Sequence, residues 1–240
     1  NLSTPFPDAL QEFKVETSAL SAQNGMRSAG VVTMVTKSGT NEWHGDLFEF
    51  VRNGKFNARN AFALKRDTLK RNQFGGTVGG PIKTNKLFFF AGYQGTTTRQ
   101  DPADTTSFVP TAAMLAGDFT AISAPACNAG RQITLRAPFV NNRIDPVQFS
   151  KVALNIANHP NLPKSSDPCG KVIWGVPNVV NDHMAIGRMD YQWTPKHTLF
   201  GRYLLDSAGG PNPYELTKNL PTGGQLGPNG LAESFTLGST

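Results

Sequence analysis

Ser28–Gly45, SAGVVTMVTKSGTNEWHG, decides how this chain is read. Ala29 to Thr36 is a β-branched run suited to a buried strand. A Gly39-Thr40-Asn41 turn follows, and beyond it the hydrophobic grammar changes to alternation with period two. Upstream, Leu10 to Thr17 alternates well enough for a further strand, with Gly25 and Gly30 as punctuation. Gly30 suits a tight turn or a close backbone approach, where a missing Cβ helps most.

Downstream, Glu42 to Arg52 reads as a strand with apolar residues on both faces, so its sides are not assigned. Residues 53–71 form a polar excursion. Arg71 to Ile82 sets Phe74, Val78 and Ile82 against Gln73 and Thr77, Thr84-Asn85 is a turn, and Lys86 to Thr98 is a third strand. There Leu87, Phe89, Ala91 and Tyr93 share one face, while Phe88 and Phe90 make the other face more than aqueous. An element packed inside a barrel or the core of a sandwich explains them equally well. The clearest hairpin is His183–Thr194 with Thr198–Asp206: Ala185, Gly187, Met189, Tyr191 and Trp193 oppose Arg188, Asp190, Gln192 and Thr194. On the returning strand Leu199, Gly201, Tyr203 and Leu205 oppose Thr198, Arg202 and Asp206. A last strand starts at FTLGST.

From about Gln100 to Asn181 strand signals are weak. Asp145-Pro146 is a cap and first-turn pair, predicting a short amphipathic helix over Val147–Asn158 that stops at His159-Pro160. Cys127 and Cys169 both fall in this Pro- and Asn-rich region and read as a disulfide of an oxidising compartment, against two unrelated free thiols.

Gly, Pro, Thr and Asn are abundant and charges sparse, which favours an all-β class. No window holds the roughly 18 consecutive apolar residues of a membrane helix. A crossing would therefore need a closed barrel, because open strand edges cannot be satisfied in lipid. The formal charge of +6 raises nucleic acid as a partner, but only Lys65–Arg71 clusters and no reading module is present. A solvated loop or rim is the better reading.

Enzyme chemistry finds no constellation. GGTVGGPIK has Pro81 where a phosphate-binding loop needs Lys, the four histidines His44, His159, His183 and His197 lack ligand spacing, and no Gly-x-Ser-x-Gly elbow exists. No catalytic, cofactor or metal site is expected. Asp190 and Asp206 are expected to pair with Arg188 and Arg202 along a barrel wall.

Four stretches in order, PDALQEFKVETSALSAQNG, SAGVVTMVTKSGTNEWHG, LFEFVRNGKFNARNAF and RNQFGGTVGGPIKTNKLFFFAGYQG, resemble the Oar-like branch of the TonB-dependent outer-membrane transporters, at the point where plug meets barrel. The resemblance implies the C-terminal part of a plug over residues 1–41, with Gly30, Lys37, Gly39 and Asn41 at the junction, and the N-terminal part of a barrel over 42–240. Arg188, Asp190, Arg202 and Asp206 become lumen-facing candidates, Tyr191 and Trp193 part of an interfacial girdle, and the disulfide a staple of an extracellular loop. It implies a Gram-negative-type outer membrane, lipid as surroundings, and uptake of a scarce siderophore, glycan, peptide or cobalamin driven by TonB, ExbB and ExbD through a plug N-terminus that is missing here. Family barrels have about 22 strands, each spanning strand taking roughly 9 to 11 residues, so an internal fragment is expected. The carboxypeptidase-regulatory-like domain that often precedes Oar-like plugs is absent too. Two rivals stay open: an Oar-like surface, adhesion or secretion-related protein without import, and a secreted β-sandwich binding module.

Overall fold

The computed structural model describes residues 4–17, 30–59, 61, 66–102 and 105–240; Gly25, Ala29 and Lys65 lie outside them. Its strands are β1 (Leu10–Glu16), β2 (Val31–Thr36), β3 (His44–Asn53), β4 (Lys70–Lys83), β5 (Leu87–Gln100), β6 (Thr105–Phe108), β7 (Lys171–Trp174), β8 (Asn178–Thr194), β9 (His197–Gly209) and β10 (Asn229–Ser239). Short helices α1 (Ala112–Leu115), α2 (Lys151–Ala157) and α3 (Pro213–Thr217) lie in the connections.

Six strands form one antiparallel sheet in the order β10-β9-β8-β5-β4-β3, and β1 pairs with β2 as a separate antiparallel hairpin. Consecutive strands are neighbours throughout the large sheet except that β5 and β8 meet across the long excursion. The sheet is open, as part of a barrel would be, with β3 and β10 at its edges. Connections alternate in length. Residues 84–86 and 195–196 turn tightly at one end, whereas 54–69, 101–177 and 210–228 loop out at the other.

Period two sorts the two faces, and the pairing carries the sorting from strand to strand. One face carries Leu47, Phe74, Val78, Phe89, Tyr93, Met189, Tyr191, Leu199, Tyr203, Phe235 and Leu237. Leu47 is 91% exposed, Met189 50% and Tyr203 41%. A sandwich would bury Met189 and Tyr203 between two sheets; here no second sheet among the described residues covers them, so the sandwich reading is overturned. The opposite face holds the core: Phe6, Ala9, Phe90, Ile186 and Leu204, with Phe48 and Met184 packed against it. β3, whose sides the sequence left open, is thereby assigned: Phe48 lies 6.2 Å from the Phe6 ring, and Leu47 points to the bare face.

Several boundaries differ from the sequence reading. β8 starts at Asn178 and β9 runs to Gly209, because hydrogen bonding along β5 and β8 recruits residues of low strand propensity such as Asn178 and Asn181. β10 begins at Asn229, well before FTLGST. The excursion contains a two-strand pair, β6 with β7, that no alternation announced. Asp145 accepts from the Val147 N–H at 3.0 Å, yet it caps only a single turn, Pro146–Gln148. Phe149 then takes an extended conformation, its ring 6.3 Å from Phe119, and α2 starts afresh at Lys151. Packing against Phe119 outweighs continuation of the helix.

Candidate functional site

The face that carries the core also carries the polar side chains singled out from sequence. Residues 4–9 and the end of β2 rest on it. Phe6 is 2% exposed and inserts where Gly92 has no side chain: a Cβ there would sit 2.8 Å from the ring tip. Phe90, 1% exposed, completes the contact, which answers why an aromatic residue stands on a mostly polar face.

Arg188 and Asp190 are brought together. Both point to this face from β8, and the guanidinium grips the carboxylate through Nε and Nη2 at 2.8 to 3.2 Å. The remaining nitrogen, Nη1, donates to the Thr36 carbonyl at 3.1 Å and the Thr36 hydroxyl at 3.3 Å. The ring of Phe200 lies 4.9 Å beneath the charge. One side chain thus ties the sheet to the last residue of β2, in a pair whose side chains are 18% and 9% exposed. Arg202 sits directly across from Arg188 in the ladder and donates to Thr236 Oγ1 on β10 at 3.3 Å. Asp206 faces the same side, in register with Met184 and Ala232.

The four residues expected at a junction, Gly30, Lys37, Gly39 and Asn41, act through backbone and turn chemistry. Gly30 has φ +146°, a conformation that L side chains resist. Lys37 donates its N–H to the Ala9 carbonyl at 2.9 Å. Gly39 is buried against the sheet backbone, where a Cβ would come within 2.8 Å of both the Gly80 carbonyl oxygen and the Phe89 nitrogen. Asn41 reaches the β4–β5 turn: it donates to Asn85 Oδ1 at 2.6 Å and accepts from the Asn85 N–H at 2.7 Å. Asn85 has φ +61°, which Asn tolerates better than most residues. Trp43 then crosses to the bare face and packs edge-on against Phe89 at 5.4 Å, at the same end as Tyr191 and Trp193.

The excursion has its own small core. Phe119 meets Phe139 at 5.1 Å and Phe149 at 6.3 Å, and Cys127 is bonded to Cys169 with their Cα atoms 5.4 Å apart. Asp118 is held below the usual carboxylate range, first by the Thr120 hydroxyl and backbone N–H and then by Arg143, whose Nη2 lies 3.1 Å away. Sequence reasoning missed Phe6, Ala9 and Thr36. Their partners lie far away along the chain, and an isolated Phe before Pro7-Asp8 carries no periodic signal.

Residues 35–240 match the family described as Outer membrane beta barrel domain. The chain is also 33% identical over 98 residues, 38% of its length, to the "TonB-dependent transporter Oar" of Myxococcus xanthus. That alignment spans 9% of the relative's own length. No solved structure matches the chain.

Proposed function

The chain belongs to the outer membrane beta barrel domain family, and from that premise we propose that it is the plug end and first wall strands of a TonB-dependent importer. A Gram-negative outer membrane is its location, and the bare apolar face of the sheet is the surface such a barrel turns to lipid. The long connections then lie outside the cell and the short turns in the periplasm. Arg188, Asp190, Arg202 and Asp206 face the lumen in this reading, and residues 1–41 are the last part of a plug.

The observation that carries the proposal is the packing of Phe6, Ala9 and Thr36 on the inward face, with Arg188 as the tie. A segment seated there obstructs the lumen, so passage needs work to displace it. The outer membrane has no nucleotide supply of its own. Work has to arrive by mechanical coupling, which is the role of TonB with ExbB and ExbD in the family the sequence resembles. The similarity to a protein named as a TonB-dependent transporter supports the same reading.

The experiment uses the full-length parent in cells with and without TonB, with a labelled solute identified from growth-limited cultures. External binding without TonB and accumulation only with TonB and a proton-motive force is the expected result. Uptake unchanged by loss of TonB makes the protein a passive channel. Failure to find any solute favours the rival, a surface protein of the same architecture, for which the disulfide-bonded excursion offers an external display element.

A further inference from the structure

Four cations converge at the long-loop end of the sheet, on its bare side. Along β5 that side runs Leu87, Phe89, Ala91, Tyr93, Gly95, Thr97 and Arg99, passing from apolar to polar to charged. Arg99 pairs in register with Lys70 on β4 and Val179 on β8. Lys55 and Arg66, from the β3–β4 connection, join them around a cleft of about 600 Å³ that Asp67 and Asp101 also line.

All four cations are exposed, and among the described residues none of them forms an ion pair. Asp67 Oδ1 is occupied by the Leu69 N–H at 2.9 Å and the Gln100 amide at 3.0 Å. Arg99 is fixed in place by the carbonyls of Thr98 and Val180 and by Asn181 Oδ1, at 2.7 to 2.9 Å, all neutral acceptors. Among the described residues the cleft therefore keeps two positive charges in excess, with one guanidinium already oriented.

Its height matters as much as its charge. From Trp193 at the short-turn end, an apolar band about 25 Å tall, crossed by strands tilted roughly 40° at about 3.3 Å per residue, ends near His183. There Tyr93 Oη and His183 Nδ1 meet at 2.7 Å, a polar contact suited to an interface. Arg99 and Val179 lie about 10 Å further out by the same rise, a gap that the headgroup layer, roughly 5 to 7 Å thick on each side, mostly fills and a snorkelling Lys or Arg stem completes.

We propose that this cleft binds the phosphate groups of an outer-leaflet lipid, the apolar band below taking the acyl chains. Phosphate matches the site because guanidinium and ammonium donors bind its oxygens through charge-assisted hydrogen bonds. A dianion or two monoanions neutralise the excess charge. The inference rests on the outer-membrane location and on which end faces outward; import is not part of it, so its failure leaves the transport proposal standing.

The test takes the full-length barrel in detergent, with bis-phosphorylated lipid A, its dephosphorylated form and inorganic phosphate as probes. Bound lipid is read by native mass spectrometry after detergent exchange. The phosphorylated lipid should be retained and the dephosphorylated one lost. Lys55→Glu with Arg66→Glu, both outside the strand ladder, should weaken retention about tenfold or more while heat-modifiable barrel is preserved. Lys55→Arg with Arg66→Lys should bind as the wild type does. Equal retention of the two lipids by the wild type overturns the proposal without recourse to any variant. So does undiminished binding by the folded charge-reversed variant. Inorganic phosphate that binds alone and displaces the lipid at equal phosphate concentration makes this a free-anion site and overturns the lipid assignment.

Discussion

Met189→Arg in the full-length barrel is the sharpest perturbation of the lipid-facing assignment. Met189 is half exposed on the bare face, flanked in register by Phe89 and Gly201. It stands four residues from Trp193, which is about 13 Å along a strand and about 10 Å along the membrane normal at the usual tilt. Since the apolar band is about 25 Å tall, that depth is within about 3 Å of the midplane, where an Arg costs roughly 2 to 4 kcal/mol. The folding equilibrium constant should then fall by roughly 30- to 1,000-fold. Trp193→Arg, at the interface, should cost only about 0 to 1 kcal/mol from the charge itself. The inward control is Arg202→Gln, which gives up one bond to Thr236 and puts no charge into lipid. Heat-modifiable barrel recovered from vesicles across a urea series measures all three. Met189→Arg tolerated as well as Arg202→Gln would refute the assignment of faces, the environment, or both.

Arg188→Met is no neutral change on the inward face, because it strands the Asp190 carboxylate; about 3 to 5 kcal/mol should be lost in the same urea series, and Asp190→Leu in the same chain should restore most of it. Gly39→Ala drives a methyl into the backbone of Phe89 and Gly80, so about 1 to 3 kcal/mol of overpacking should loosen residues 4–40, seen as faster protease cleavage there with the barrel intact. Cys127→Ser with Cys169→Ser removes a bridge across 42 positions worth about 4 kcal/mol in the chain-entropy model, and should expose 101–177 to proteolysis while the six-stranded sheet persists. The depressed Asp118 carboxylate stabilises the excursion fully above the ordinary carboxylate range, and that contribution disappears as pH falls through the lowered value. Exchange at the Thr120 amide, corrected for intrinsic rate, should accelerate only in that acid window, and Asp118→Asn should remove the acid dependence.

Much of the wall was legible along the chain. Alternation from His183 to Asp206 placed Met189 and Tyr203 on one side and Arg188 and Arg202 on the other, because period two is a local property of an extended backbone and needs no partner to express itself. The same reading recognised the turn at Thr84-Asn85 and the change of grammar after Thr36. It could not choose between barrel wall and sandwich, since an apolar stripe is the same whether lipid or a second sheet covers it. Only the tertiary arrangement decided that, by leaving Met189, Tyr203 and Leu47 uncovered. It also decided which side of β3 is inward, through the contact of Phe48 with Phe6. The tie from Arg188 to Thr36, the clamp of Asn41 on Asn85 and the gathering of Lys55, Arg66, Lys70 and Arg99 join residues far apart in order. Such contacts leave no periodic trace, because strand pairing sets which distant residues meet, and pairing is a choice among many registers that local sequence alone does not make.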